Sequence, residues 1–294
     1  MDGQSHAGNE WPTVLLFATT AIAELSVALG IAATASLVAF HSSLQHEVIH
    51  GHPLKSRFWS VALVFPAVGL LIPFERFRDT HLQHHHDPNL TDPYEDPETN
   101  YLDPAVWHRM PKPLQMLLRF NNALIGRMLI GPAISQFIFM KSDLRLALAG
   151  DRKIMRAWIL HAVGAVPVIT WVVEFSSMPI PAYLLAAYFG ISLLKIRTYL
   201  EHRAHERPRG RTVVVNDRGP LALLFLNNNF HLVHHMHPNE PWYRLPKRFD
   251  RNRELYLGKN DGYIYQSYLD VFIRHFLSAK DPVPHPLWEG KGKQ

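Results

Sequence analysis

Nineteen histidines and no cysteine exclude thiolate ligands, disulfides and iron–sulfur clusters, and leave nitrogen and oxygen to hold any metal. Eight of those histidines fall into three boxes: His46-Glu47-Val48-Ile49-His50, His81-Leu82-Gln83-His84-His85 and His231-Leu232-Val233-His234-His235. On a helix, residues three and four apart share a face, so each box can aim two or three imidazoles at one point. His202, at the end of an apolar stretch, makes a ninth candidate. One ion does not need nine imidazoles. Two ions with four or five nitrogens each would use them, and iron with open positions is the first-row choice that also activates O2.

The elements that must position these boxes read as a membrane base carrying a polar cap. The chain of 294 residues is 47% apolar, which is ordinary for a soluble protein, but its apolar residues are concentrated near 12–40, 58–74, 158–175 and 182–200. The first block is long enough for one tilted span or a cramped helical pair. The second carries Pro66, Gly69 and Pro73. If it crossed the bilayer, His46 and His81 would lie about 30 Å apart and could not share a centre. It is therefore expected to be a broken or re-entrant hairpin. The last two blocks, joined by the short Ser176–Pro181 turn, form a hairpin that returns His202 to the face of the other boxes.

The fold class expected is all-α: a single domain over 1–294, with about four spanning or re-entrant segments. A His-box cap takes 44–110 and 201–240, and 241–294 forms a polar C-terminal tail. Leu114 to Leu148 reads as amphipathic helices on the membrane surface, with Arg119, Arg127, Lys141, Asp143 and Arg145 on their polar side. Basic residues flank the apolar blocks, which places the boxes and the C-terminus in the cytoplasm and the protein in the inner or cell membrane. The formal charge of +5 is scattered and makes no nucleic-acid stripe. Met1-Asp2-Gly3-Gln4-Ser5-His6 lacks the basic start of a signal peptide.

Carboxylates near the boxes are candidates to orient the imidazoles: Glu47, and Asp87, Asp92 and Asp96 in a turn-rich loop where plain turn chemistry competes. Asn229, two residues before His231, is a candidate to hold a metal-bound water, with helix capping as the alternative. His52, His86 and His237 adjoin the boxes. His205 competes with His202, and His161 lies inside an apolar span, where a hydrogen bond to a neighbouring segment explains it. His46 to His50 also spells HExxH, the zinc metalloprotease signature. That reading leaves both HxxHH boxes idle. A His-rich metal carrier is a third reading, but its ionisable groups would line a path through the spans, whereas these boxes flank them.

Taken together, the three boxes resemble the integral-membrane di-iron fatty acid desaturases, whose scaffold is shared by alkane hydroxylases and carotenoid ketolases. The resemblance runs from about Leu44 to Pro238 and includes Tyr199-Leu200-Glu201-His202-Arg203, similar to the family's additional-ligand segment, and Asn227-Asn228-Asn229-Phe230-His231, similar to its lead-in to the last box. It implies that His46, His50, His81, His84, His85, His202, His231, His234 and His235 bind two Fe ions, ferrous when reduced, with O2 as co-substrate. No catalytic residue beyond the metal centre is expected. The first box departs from the acyl-CoA type in Glu47 and in Gly51-His52-Pro53. A lipid-like substrate is implied, with desaturation of a fatty acyl chain foremost and hydroxylation or ketolation of a lipid, alkane, carotenoid or smaller amphiphile as the alternative. With no GxGxxG behind a strand and no cluster ligands, electrons must come from a separate ferredoxin, rubredoxin or cytochrome. Lys247, Arg248, Arg251 and Arg253 are candidates to meet such a carrier, and lipid headgroups account for them equally well.

Overall fold

A computed structural model of the chain describes residues 11–289. The described residues are mostly helical, with one parallel pair of two-residue strands, Val214–Val215 beside Ile264–Tyr265. They form two compact units, one comprising the chain through Phe77 with Gln136–Leu193, the other Arg78–Ser135 with the chain from Leu194.

The first unit contains the apolar helices. The block expected near 12–40 is a helical pair: Trp11–Ala21 is followed by a 3-10 turn, and Val27–Ile49 starts where the Ser26 hydroxyl accepts from the Leu29 N–H at 3.4 Å. A serine at that position satisfies one of the donors every helix leaves open at its start. The second helix runs beyond Phe40 to Ile49, carrying His46 and Glu47 in its last turns. Val27–Ile49, Arg152–Glu174 and Ile180–Thr198 are each long and apolar enough to cross a membrane. Leu16, Leu37, Val38, Val168, Val172, Tyr183 and Ala186 pack as their shared core. The opposite face of Arg152–Glu174 leaves Ile159, Val163, Val166 and Val173 exposed, an apolar stripe suited to lipid.

The block near 58–74 has no helix of spanning length. Arg57–Val64 stops before Pro66, and the chain is irregular until Phe74. Irregular backbone survives at membrane depth only where protein satisfies its polar groups, and the first unit does this. The Ala67 N–H donates to the Gly164 carbonyl at 3.0 Å, and the Tyr183 hydroxyl donates to the Val68 carbonyl at 2.7 Å. His161 Nε2 lies 3.0 Å from the Leu70 carbonyl, and the Gln136 amide donates to that of Leu71 at 2.7 Å. Gly164 is required there: a Cβ would stand 2.5 Å from the Phe65 carbonyl oxygen.

Asp143 corrects the surface reading of Leu114–Leu148. It is 1% exposed and accepts from Arg76 Nε at 2.9 Å and from the Trp158 indole at 2.9 Å. The second unit corrects the polar tail in the same way. Leu245, Phe249 and Tyr256 join Val214, Phe230, Leu232 and Val233 in one core, and Tyr263, Tyr268 and Val271 are buried too. The helices over this stretch have seven or eight residues each, too few turns for an apolar period to stand out.

Candidate metal centre

Seven of the nine candidate ligands lie in the second unit. His81 and His84 close the Phe74–His84 helix, and His85 follows, its N–H donating to the His81 carbonyl at 3.1 Å. His202 stands just past the Ile180–Thr198 helix in a backbone bridge to Thr212. His231, His234 and His235 occupy the six-residue helix His231–Met236, which begins after Leu226 and Asn227 turn the chain with φ of 47° and 53°.

These rings converge in two groups. The ligand atoms of His84, His202, His231 and His235 all lie within 4.8 Å of one another, and so do those of His81, His85 and His234. In the first group Nε2 of His202 is 2.8 Å from that of His84 and 3.1 Å from that of His231, which is 3.1 Å from that of His235. In the second, Nε2 of His85 is 3.0 Å from that of His81 and 3.2 Å from that of His234.

Hydrogen bonds on the far side of three rings decide what those nitrogens present. His84 Nδ1–H donates to Asp96 at 2.8 Å, His81 Nδ1–H to Glu98 at 3.0 Å and His231 Nδ1–H to the Asn228 side-chain oxygen at 3.1 Å. A neutral imidazole that donates through Nδ1 keeps a bare lone pair on Nε2. Lone pairs facing one another repel unless a cation lies among them. For a metal–nitrogen bond of about 2.1 Å, ligands on adjacent corners stand about 3.0–3.4 Å apart, close to the separations found. The donor set thus fits a metal ion in each group.

Asp96 is itself fixed, accepting from the Thr91 and Glu98 N–H groups at 2.9 Å each, so the loop that holds His84 is tied to the same carboxylate. Asp92 caps the turn at Tyr94 and Glu95. Asn229 donates to the Val215 and Asp217 carbonyls, and Asn228 takes the place beside His231. The side chain of Asp87 lies outside the described residues. His205 sits 3.5 Å from Asp261 and belongs to neither group. In the first unit His46 is buried at the end of its helix, with its ring centroid 4.9 Å from that of His50 and with Glu47 3.7 Å from its Nδ1.

Burial, followed by the charges of neighbouring imidazoles, holds His202 and His231 well below the ordinary histidine pKa, so both rings are neutral. Burial also opposes charge on His84, but Glu98 and Asp96 outweigh it and push this histidine up to about 9. A cation must displace that proton, so binding releases it. Between about pH 8 and about pH 6 the apparent metal affinity is expected to fall by about a hundred-fold from this group alone. Chelator competition with cobalt(II) at the two pH values measures the drop, and a flat response would remove His84 from the ligand set.

The sequence model of the fatty acid desaturase family matches residues 23–267, more than four-fifths of the chain. The chain belongs to the fatty acid desaturase family. No curated protein is similar enough to count as a match. Membership in a family of membrane oxidoreductases that act on lipids and use di-iron centres accounts for both the clustered imidazoles and the three apolar helices. The HExxH protease reading has no use for the seven histidines gathered in the second unit.

Proposed function

We propose that this desaturase-family protein is an O2-dependent di-iron enzyme that introduces a double bond into a fatty acyl chain. Convergence of imidazole Nε2 atoms in two groups supports the reading. His84, His202, His231 and His235 would hold one iron. His81, His85 and His234 would contribute to the other, with His46 and His50 completing it as the family resemblance implies.

A bound di-iron centre supplies the O2-driven removal of hydrogen from an unactivated C–H bond. The chain's own residues prepare the site for it. Asp96, Glu98 and Asn228 fix ring orientation and tautomer, which strengthens each imidazole as a ligand. Burial of His81, His84, His231 and His234 keeps water from that side. His85, His202 and His235 are half-buried and leave an approach for substrate. Electrons would arrive from a separate ferredoxin, rubredoxin or cytochrome, with Lys247, Arg251 and Arg253 available to an acidic carrier. Arg57, Arg78, Arg197 and Arg203 favour a cytoplasmic face for the boxes in a cell or inner membrane.

Two measurements test this. Elemental analysis of the purified protein should find two irons per chain, as the family's centre requires; a single zinc would point to the protease. Gas chromatography–mass spectrometry of lipids from an expressing host should show products lighter by one pair of hydrogens. Addition of an oxygen atom would instead assign a hydroxylase, and unchanged lipids would sink the acyl reading.

A further inference from the structure

Six of the seven histidines gathered in the second unit stand on a helix or one residue past it, where the main chain is fixed by its own hydrogen bonds. His202 is different. It lies past Thr198 and outside any helix, so other parts of the chain must set its position. Alternate residues around it bond in opposite directions. On one side the Val213 N–H donates to the Glu201 carbonyl at 3.1 Å, and the Arg203 N–H donates to the Arg211 carbonyl at 2.8 Å. On the other side Leu200, His202 and Ala204 meet side chains. The Tyr263 hydroxyl donates to the Leu200 carbonyl at 2.7 Å, the Lys280 ammonium donates to the His202 carbonyl at 2.7 Å, and the Ala204 N–H donates to the Tyr101 hydroxyl at 2.8 Å.

Asp281 gathers these side chains. Its carboxylate lies 2.6 Å from Lys280 Nζ and accepts from the Tyr101 hydroxyl at 2.7 Å, and its carbonyl accepts from the Asn122 amide. Lys280 also donates to the Tyr263 hydroxyl at 3.2 Å, which gives each of its three N–H groups a partner. The same segment ties down the loop that holds His84. The Leu102 N–H donates to the Val283 carbonyl at 3.0 Å, and the His285 N–H donates to the Leu102 carbonyl at 2.8 Å. His285 Nδ1 accepts from the Leu287 N–H at 3.1 Å, so its Nε2–H donates to the Thr91 hydroxyl, also at 3.1 Å. The Thr91 N–H in turn donates to Asp96, which accepts from His84 Nδ1. Residues 280–285 thus fasten two members of one imidazole group, His202 through its own carbonyl and His84 through Asp96. They lie beyond residue 267, where the family match ends.

We propose that Lys280 is a positioning residue for the metal group of His84, His202, His231 and His235, and that residues 280–285 are the strap which holds His202 at ligand distance. The inference rests on the di-iron reading above. Without the ammonium the His202 carbonyl loses its donor, and a ring on a chain with no helix to hold it moves away from its partners. Groups that orient a metal ligand from behind are worth about ten- to a hundred-fold in metal affinity.

Chelator competition with cobalt(II) on the full chain in detergent micelles tests this. Lys280→Met should lower the apparent affinity at least about ten-fold and alter the visible absorption of the bound cobalt. Lys280→Arg, which keeps a donor for the carbonyl, should recover most of the affinity. Arg274→Ala removes a side chain that pairs with Asp270 and should leave the affinity unchanged. If Lys280→Met does not fold, Tyr101→Phe, which removes a single oxygen, carries the same direction of change. Wild-type affinity in Lys280→Met, or in Tyr101→Phe where that variant stands in, overturns the inference. So does an arginine variant no better than the methionine one, or an equal loss in Arg274→Ala, since either would mark a general loosening of the C-terminal stretch. Wild-type protein that takes up no cobalt would sink the di-iron reading and this inference with it, whereas wild-type binding that Lys280→Met leaves intact sinks the inference alone.

Discussion

Replacing His84 with alanine should lower turnover by more than about a hundred-fold, beyond the loss expected when only a ligand's supporting hydrogen bond is removed. His84 joins two functions: Nδ1–H donates to Asp96 at 2.8 Å, and Nε2 stands 2.8 Å from that of His202. Alanine removes the proposed ligand and leaves the buried Asp96 carboxylate with only backbone donors. Iron content should fall while membrane insertion is kept, because the apolar helices are untouched. His234→Ala should act in the same way on the other group, through the lost partner of His85. Turnover assays with elemental analysis of the membrane fraction decide it. Full activity in either variant would remove that histidine from the centre.

The largest stability effect is expected far from the histidines in sequence. Asp143→Ala should cost about 3–5 kcal/mol, the loss typical of breaking one side of a buried ion pair. The carboxylate is 1% exposed and accepts from Arg76 Nε at 3.1 and 2.9 Å, from an Arg76 Nη at 2.9 Å and from Trp158 at 2.9 Å. Its removal takes this carboxylate away from a guanidinium that is 13% exposed. Asp143→Leu combined with Arg76→Met should recover much of the loss, since two apolar side chains replace the pair without leaving a buried charge. Thermal unfolding in detergent micelles measures both variants. A change within about 0.5 kcal/mol for Asp143→Ala would show the pair to be a surface contact.

What the sequence discloses and what it hides divide along a physical line. Ligand spacing of three and four is a local property of a helix, so the HxxHH boxes were legible before any fold was known. The long apolar segments were legible too, because length and composition alone decide whether a helix can span lipid. Of the groups that aim the rings, Asp96 was a candidate from its place beside the second box and is found on His84, but Glu98 and Asn228 were not legible. Glu98 reaches His81 from seventeen residues away, across a loop whose path no periodicity encodes. Asn228 faces His231, and Asn229 does not, because Leu226 and Asn227 adopt left-handed backbone, a conformation a leucine side chain does not advertise. Asp143 read as a solvated charge because helical amphipathicity places it on a polar face. Arg76 and Trp158, which cover that face, are distant in sequence.

The short helix His231–Met236 sends His231 and His235 to one group of imidazoles and His234 to the other, and the turn ending in His85 divides its rings likewise. A single peptide thus serves as a lever with two loads. Rotating it by one residue, about 100°, would spoil both groups at once, and an ion seated in one would clamp the backbone that supports its neighbour. Occupancy should therefore be cooperative, with empty and doubly filled protein dominating over the half-loaded form during metal uptake.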